Sequence, residues 1–282
     1  PAAPPRRAAA VAVLLLAGGP LPLVAQSFPE PPPVAAARAP EDPFSYAPGV
    51  DVLHYDLEIG LGEGERTFEG RARIRVLATA GAPTLPLDLT GLAVEDVDVG
   101  PREEVGGVSY ADGVLRLPLA DARPGDTVTV DVAWSGTPDD ALQLGPNLHG
   151  EPAAFADNWP NRARFWFPSV DHPSDKATVR YTIHAPAAWD VVANGHLAAP
   201  PRPTPAGAPG PGDGPRRTWV WATDVAIPTY TMVLGAAVFD AREGPVSSPE
   251  ALADPLGPAT RLSYPAFAAP ELDGVVVDSH LG

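Results

Sequence analysis

The feature that most constrains the fold of this chain is a regular alternation of apolar and polar residues within short segments. One side of the segment 52–59 would carry four apolar residues: Leu53, Tyr55, Leu57 and Ile59. The same alternation recurs in eight later segments: 68–76, 92–99, 114–119, 127–134, 178–184, 189–193, 218–223 and 230–238. Gly, Pro and Asp lie between these segments, and none of them shows the 3.6-residue apolar stripe of an amphipathic helix. The pattern therefore predicts an all-β chain, folded as an antiparallel β-sandwich.

The composition supports a folded core and excludes several classes of function. Hydrophobic residues make up 45% of the 282 residues, which is enough to bury a core. The formal net charge of −16 gives the chain no attraction for a phosphate backbone, so we expect no nucleic-acid partner. The chain has no Cys, which excludes disulfides, thiol catalysis and zinc sites built from Cys.

The first 48 residues have the pattern of an export signal followed by a spacer. Arg6 and Arg7 precede an apolar run over 8–17, and a small residue, Ala25, closes the stretch. This layout predicts a signal peptide over residues 1–25, because the apolar run is too short to span a bilayer. The many prolines between 26 and 48 predict an extended Pro-rich linker. We therefore expect an exported protein, periplasmic or extracellular, with no membrane partner after the signal is cleaved.

Aromatic and charged residues are concentrated in the stretch 157–185. Its first half holds four large aromatic side chains: Trp159, Phe165, Trp166 and Phe167. The stretch is suited either to packing against another surface or to serving as an internal crossover between two sheets, and the residues alone leave both open. In an extended segment Phe165 and Phe167 would point to one side and Trp166 to the other. We expect one of these sides to enter the core and the other to be exposed.

The same stretch contains a specific sequence signature. It resembles the R-x-x-F-P-x-x-D-x-P-x-x-K-A-T signature of the aminopeptidase N-type zinc metallopeptidases through six residues: Arg164, Phe167, Pro168, Asp171, Pro173 and Lys176. Weaker landmarks follow the family's order at 54–57, 194–195 and 229–235. The resemblance covers about residues 50–240. It implies the N-terminal β-sandwich domain of such an enzyme, in which the six residues have structural roles.

The resemblance also implies what the whole enzyme does. Members of the family remove N-terminal residues from peptides with a zinc-activated water; an H-E-x-x-H helix holds the zinc, and a G-x-M-E-N loop binds the substrate amine. This chain contains neither motif, so we assign it no catalytic residue and no metal ligand. We expect zinc in the full-length enzyme and none bound by this chain. The expected partners are the chain's own missing catalytic domain and, in the full-length enzyme, peptide substrates.

These expectations divide the chain into four parts. After the signal peptide and the linker, the β-sandwich is expected over 49–245. The remainder, 246–282, is expected to be a linker or the truncated start of the catalytic domain, which would make the sequence a fragment. Within the sandwich, the Pro/Gly/Ala-rich segment 200–217 separates two strand-like runs and predicts a flexible hairpin insertion.

Two residues are candidates for substrate binding. In the family, a polar side chain just before the signature, usually Gln, contributes to the pocket for the first substrate residue. Asp157 and Asn158 occupy these positions here, and a carboxylate is able to hold a peptide ammonium group. Both residues are also well suited to capping a turn, so the structural interpretation stays open.

His172, within the signature stretch, and the signature residue Lys176 are expected to have structural roles. His172 has no companions at metal-ligand spacing, so we expect it to make a structural hydrogen bond. Lys176 is expected to be a buried partner of Asp171 or Asp175, because an ammonium can neutralise a carboxylate inside the fold.

Two other functions fit the same sequence. An exported β-sandwich with six Trp residues is also suited to binding carbohydrate or an adhesion partner. Trp219 and Trp221 lie two apart in one predicted strand and would share a face. Exposure of the Trp side chains distinguishes this alternative, because a sugar-binding module shows two or three of them to solvent. A third possibility is an inactive sandwich retained as a scaffold.

Overall fold

Strands account for nearly all of the regular structure. The computed structural model describes residues 47–100, 107–147, 149–243 and 260–263. The predicted signal peptide lies outside the described residues, as do nearly all of the predicted linker and most of 246–282. In chain order the strands are β1 Val50–Gly60, β2 Phe68–Ala78, β3 Thr84–Asp88, β4 Ala93–Gly100, β5 Ser109–Ala111, β6 Val114–Pro118, β7 Thr127–Gly136, β8 Leu142–Pro146, β9 Pro152–Ala156, β10 Lys176–Pro186, β11 Asp190–Ala193, β12 His196–Pro203, β13 Arg216–Ala222, β14 Ile227–Pro228, β15 Leu234–Ala237, β16 Asp240–Glu243 and β17 Thr260–Ser263.

The strands form one large sheet, two smaller sheets and one separate two-stranded sheet. The large sheet has the order β12–β13–β10–β1–β2–β7–β4, and β14 also pairs with β10. The second sheet has the order β11–β15–β9–β8, the third has the order β3–β6–β5, and β16 pairs with β17. Among the described strands all pairings are antiparallel except β1 with β10, which is parallel. The predicted all-β, mostly antiparallel fold is confirmed.

One hydrophobic core joins the large sheet to both smaller sheets. Along β2, apolar side chains are buried and the arginines between them are exposed, as the alternation predicts. These inward side chains share the core with Leu87 of the third sheet and Leu234 of the second. The largest fully buried side chains are Trp134, Trp166, Tyr55, Tyr181, Phe68 and Phe167.

The outer face of the large sheet is charged, and at several positions an arginine lies opposite an acidic residue of a neighbouring strand. One row of adjacent positions holds Arg180, Asp56, Arg73, Asp131 and Asp98 on five successive strands. Within the row, Arg73 Nε lies 2.8 Å from Asp131 Oδ1. Because both arginines of this row have acidic neighbours, the row is suited to contact with water.

At the start of β1, a β-bulge changes which residues face the core, compared with the prediction. The alternation predicts that Leu53 faces inward together with Tyr55. The pairing of β1 with β2 shifts register between Val52 and His54. Val52 is therefore the buried residue, and Leu53 is only half-buried. The extra residue of a bulge moves the side chains before it to the opposite face, which a fixed period of two does not capture.

The segment 200–217 forms a hairpin, but its loop is anchored to the large sheet. Gly210 donates its backbone N–H to Glu69 Oε2 at 3.0 Å. The loop also passes so close to Gly60 that a Cβ there would lie 2.1 Å from the carbonyl oxygen of Pro209. The expectation of a flexible insertion is therefore corrected, since backbone contacts with β1 and a hydrogen bond to β2 hold this loop.

The alternation does not predict β3, β5, β8, β9 or β12, which are short or rich in Pro and Ala. Pro200, Pro201 and Pro203 are tolerated in β12 because this strand lies at the edge of the large sheet. The predicted strand 230–238 is instead the end of a 3₁₀ turn, Thr229–Thr231, followed by the short strand β15. Within the described ranges, no helix is long and apolar enough to cross a membrane.

Candidate functional site

The stretch 157–175, called the crossover below, runs from the second sheet to the large sheet. It begins after β9, forms the 3₁₀ turn Ala163–Phe165 and ends where β10 starts. The peptide bond between Trp159 and Pro160 is cis. The crossover is therefore internal to the sandwich, and its side chains divide into a buried group and an exposed group.

Asn158 belongs to the buried group. Its Nδ2 donates to the carbonyl oxygens of Thr229 at 3.0 Å and Met232 at 2.6 Å. Its Oδ1 accepts from Trp166 Nε1 at 2.7 Å. The amide thus connects the crossover to the turn before β15, and its direct contact with substrate stays a prediction.

Asp157 belongs to the exposed group. Its side chain is 53% exposed, and one carboxylate oxygen accepts from Arg162 Nη2. Arg162 also contacts Asp140 Oδ1 at 3.0 Å and donates to the carbonyl of Trp159 at 2.6 Å. The carboxylate of Asp157 is therefore held in place and still reaches solvent. Its role in substrate binding also stays a prediction.

Trp159 is the most exposed Trp of the chain, with 64% of its surface accessible. Its ring meets Tyr230 edge-on, with centroids 5.2 Å apart. The sequence places Trp159 in an aromatic patch but does not show that it lies outside the core while Trp166 lies inside. The exposed carboxylate of Asp157 and the exposed indole of Trp159 form the outward end of the crossover.

A buried ion pair joins the middle of the crossover to β3. Arg164 Nε lies 3.0 Å from Asp171 Oδ2, and Arg164 Nη1 lies 3.5 Å from Asp88 Oδ1. Thr229 donates its hydroxyl to Asp171 Oδ1 at 2.9 Å. Burial raises the pKa of Asp171, and the charge of Arg164 opposes that shift. The sequence signature identifies Arg164 and Asp171, whereas nothing in the sequence points to Asp88.

The aromatic triplet 165–167 does not alternate as an extended segment would. Trp166 and Phe167 are both fully buried, and Phe165 is partly buried against the core. The 3₁₀ turn that ends at Phe165 changes the direction of the backbone, so neighbouring side chains no longer point to opposite sides. The expected exposed face at this triplet is therefore wrong, and the exposed aromatic residue of the crossover is Trp159.

The other signature residues lie along the second half of the crossover and at the first position of β10. Phe167 packs edge-on against Tyr55, and Pro168 is buried, while Pro173 is exposed. Lys176 is also exposed, and the described residues provide no ion-pair partner for its ammonium. The expectation that Lys176 is buried beside Asp171 or Asp175 is wrong, because Arg164 occupies that position at Asp171.

His172 and Asp175, which lie near the end of the crossover, differ in their hydrogen bonding. His172 Nδ1 lies 2.6 Å from Ser174 Oγ, which confirms the expected structural hydrogen bond. Asp175 Oδ1 is buried and has no hydrogen-bond partner among the described residues. Burial, together with the charge of Asp51, raises the pKa of Asp175 to about 7. The fold therefore favours the neutral form of this carboxyl group.

Asp175→Asn is expected to stabilise the protein above pH 7 and to change its stability little near pH 4. The stabilising contribution of neutral Asp175 is complete below its ordinary pKa of 3.8 and is lost as the pH rises through about 7. Asparagine stays neutral, so the variant should gain about 1–3 kcal/mol at pH 8, allowing for water that reaches the side chain. Urea unfolding at both pH values measures this, with exposed Asp96→Asn as the control. An equal gain at pH 4 would contradict the explanation.

The described residues do not fit a zinc site. Across 47–100, 107–147, 149–243 and 260–263, no three His, Asp or Glu side chains are placed to share a metal ion. His184 instead lies within the large sheet, with Nε2 2.9 Å from Glu58 Oε1 and Nδ1 2.8 Å from Thr218 Oγ1. The zinc that the sequence resemblance implies has no ligand set in this part of the chain.

The Trp side chains do not form a sugar-binding platform. Four of the six are buried: Trp134, Trp166, Trp189 and Trp219. Trp221 is half-buried and donates its Nε1 to the carbonyl of Val191 at 3.0 Å. Only Trp159 is strongly exposed, and all six lie in described residues. A carbohydrate-binding module of the kind considered from the sequence is therefore not favoured.

Comparison with known proteins identifies the sandwich. Residues 51–231 match the family described as the peptidase M1 N-terminal domain. A solved M1 zinc metallopeptidase from Deinococcus radiodurans is 25% identical with a TM-score of 0.58, over 79% of this chain and 50% of that chain. A variant of that enzyme gives 25% identity and a TM-score of 0.60, over 79% and 51%. A variant bound to a Tyr-Ser-Ala substrate has a similar fold, with 24% identity and a TM-score of 0.61, over 82% and 52%. This chain thus spans about half the length of these solved relatives.

Proposed function

The chain belongs to the M1 peptidase family through its N-terminal domain, and on that premise we propose that it serves an exported zinc metallo-aminopeptidase. The observation that carries the proposal is the family match over residues 51–231. The full-length protein would remove N-terminal residues from peptides, and zinc held by a catalytic domain would supply an activated water. Export rests on the signal-peptide pattern of residues 1–25.

Within this function, the outward end of the crossover is proposed to meet the substrate. The Asp157 carboxylate has lone pairs beyond those that Arg162 uses, so it can also accept hydrogen bonds from a peptide ammonium group. Asn158 would act indirectly, because its hydrogen bonds fix the backbone that presents Asp157. The exposed ring of Trp159 lies beside them and is available to a substrate or to the catalytic domain.

The catalytic domain is the proposed partner of this sandwich. The paired charges of the outer sheet face are suited to water, so that face is a poor docking surface. Three exposed apolar side chains lie on or next to the second sheet or the crossover, namely Phe155 on β9, Trp159 and Val238 after β15, and three others lie elsewhere, namely Tyr110, Leu197 and Val225. The first three support docking on the side of the second sheet.

Asp157→Ala is expected to lower kcat/KM of the full-length enzyme for an aminoacyl substrate about tenfold to a hundredfold. A hydrogen bond to a charged group contributes about 1.5–3 kcal/mol, and the alanine variant loses it in binding and in the transition state alike. Initial rates on aminoacyl-anilides measure the effect. Exposed Asp96→Ala on β4 is the matched control.

Two results would count against different parts of this proposal. An unchanged kcat/KM for Asp157→Ala would remove this residue from the substrate site and leave the family assignment intact. A natural polypeptide with no H-E-x-x-H sequence after this domain would argue against enzymatic activity and favour the scaffold alternative.

A further inference from the structure

A surface cavity of about 330 Å³ opens beside the second sheet. Arg66, from the loop between β1 and β2, forms one part of its wall. The loop 137–140, between β7 and β8, and the residues Leu142–Leu144 of β8 form the rest. This volume lies within the range of small-molecule sites in proteins, which begins at about 300 Å³.

Two charges of opposite sign line this cavity without pairing. The guanidinium of Arg66 and the carboxylate of Asp139 have no hydrogen-bond or ion-pair partner among the described residues, and they are not paired with each other. By contrast, the neighbouring carboxylate of Asp140 is engaged with Arg162. Asp139 Oδ2 lies against the turn before β4, where a Cβ on Gly91 would come within 2.6 Å of it.

The loop that carries Asp139 is held in a defined shape. Asp140 Oδ1 accepts the backbone N–H of Ala141 at 2.7 Å, and the carbonyl of Ala141 accepts the backbone N–H of Asp157 at 2.9 Å. Ala141 itself has a φ of 62°, in the left-handed region. The side chain of Leu142 beneath this loop is buried. The backbone of this loop therefore loses little conformational entropy when the cavity is occupied.

We propose that the cavity binds a small zwitterion, with its carboxylate on Arg66 and its ammonium group on Asp139. A guanidinium binds a carboxylate through two parallel hydrogen bonds, and a carboxylate is a natural acceptor for an ammonium group. A ligand with one charge satisfies only one of these side chains, whereas a zwitterion satisfies both. Free α-amino acids and short peptides share this chemistry and differ in the spacing of their charges.

Because both side chains are open to water, the binding is weak. Exposed ion pairs give little net energy, so the dissociation constant is expected to be about 1–10 mM. The site does not depend on peptidase activity and would be present in the chain as it stands. Asp140 lies in its wall and contacts Arg162, which also holds Asp157, so an occupied cavity adjoins the outward end of the crossover.

The test is an NMR titration of the ¹⁵N-labelled full chain. L-Leucine and the dipeptide Leu-Leu are the zwitterionic probes, leucinamide carries only the ammonium group, and N-acetyl-leucine carries only the carboxylate. Saturable shifts in residues 137–144 are expected with a zwitterion, and about fivefold weaker binding with each singly charged analogue. Tighter binding of L-leucine identifies free amino acids as the ligand class, and tighter binding of Leu-Leu identifies short peptides.

Variants at the exposed charges make the test specific. Arg66→Gln and Asp139→Asn are each expected to weaken zwitterion binding about fivefold, because each removes one exposed ion pair. Arg116→Gln and Asp96→Asn, also at exposed positions, are expected to leave it unchanged. The proposal is overturned if no shifts appear at about 50 mM ligand, well above the expected dissociation constant. It is also overturned if singly charged analogues bind equally well or if the variants bind like the parent.

Discussion

Trp166→Ala is expected to lower the free energy of unfolding by about 3–5 kcal/mol, the usual cost of removing a large aromatic side chain from a core. Trp166 is fully buried, and its Nε1 donates to Asn158 Oδ1 at 2.7 Å. Alanine would leave a cavity and also an unpaired oxygen on Asn158. Because domains of this kind are stable by only about 5–15 kcal/mol, the variant would lie close to unfolding.

Trp159→Ala is the matched control for this experiment. Both residues are Trp in the same crossover, but Trp159 is 64% exposed and contacts Tyr230 at the surface. Its truncation is expected to cost less than about 1 kcal/mol, in line with other surface substitutions. Urea unfolding followed by far-ultraviolet circular dichroism compares the two variants. Equal losses would contradict the assignment of one Trp to the core and the other to the surface.

Arg164→Ala is expected to cost about 3–5 kcal/mol, because it leaves two buried carboxylates without their cation. The side chains of Asp171 and Asp88 are 1% and 3% exposed, so in the parent their charges rely on protein groups more than on water. Arg73→Ala removes an exposed arginine from a similar pair with Asp131 and is expected to cost at most about 1 kcal/mol. Denaturant unfolding at pH 8 measures both changes.

Lowering the pH separates this electrostatic explanation from simple loss of packing. Burial already raises the pKa of Asp171, and removal of Arg164 takes away the charge that opposes this shift. The Asp171 carboxyl group of the variant therefore becomes neutral at a higher pH than that of the parent. The loss of unfolding free energy caused by Arg164→Ala is expected to be smaller at pH 4 than at pH 8. A loss that is constant with pH would indicate that the arginine acts through its apolar stem alone.

The sequence predicted those parts of the fold in which each strand keeps one regular alternation. Strand β2 has the inward and outward residues that its pattern predicts. The start of β1 does not, because the bulge at Leu53 depends on how β1 pairs with β2. The hairpin at 200–217 was predicted, but the contact of its loop with Gly60 joins distant parts of the chain and leaves no mark in the local pattern.

The sequence likewise predicted only part of the candidate site. The signature identified Arg164 and Asp171, but Asp88 lies 76 positions from Arg164 in a strand that the alternation does not show. Asn158 was singled out as a polar residue beside the signature. Its burial depends on carbonyl groups of Thr229 and Met232, more than 70 positions away. Local sequence therefore shows which polar residues are present, and the tertiary fold decides which of them reach solvent.

The parallel pairing of β1 with β10 has a consequence for the order in which the large sheet is completed. His54 and its partner Thr178 are 124 positions apart, whereas β1 meets β2 through a short turn. At about 5–20 residues per second, a ribosome needs roughly 6–25 s to supply the second strand after the first. Throughout that time the edge of β1 that later pairs with β10 has unpaired backbone N–H and C=O groups, which can pair with a strand of another chain. Nascent or truncated chains that end before Pro186 should therefore depend on chaperones, and the interval before β10 emerges is when this domain is most prone to aggregate.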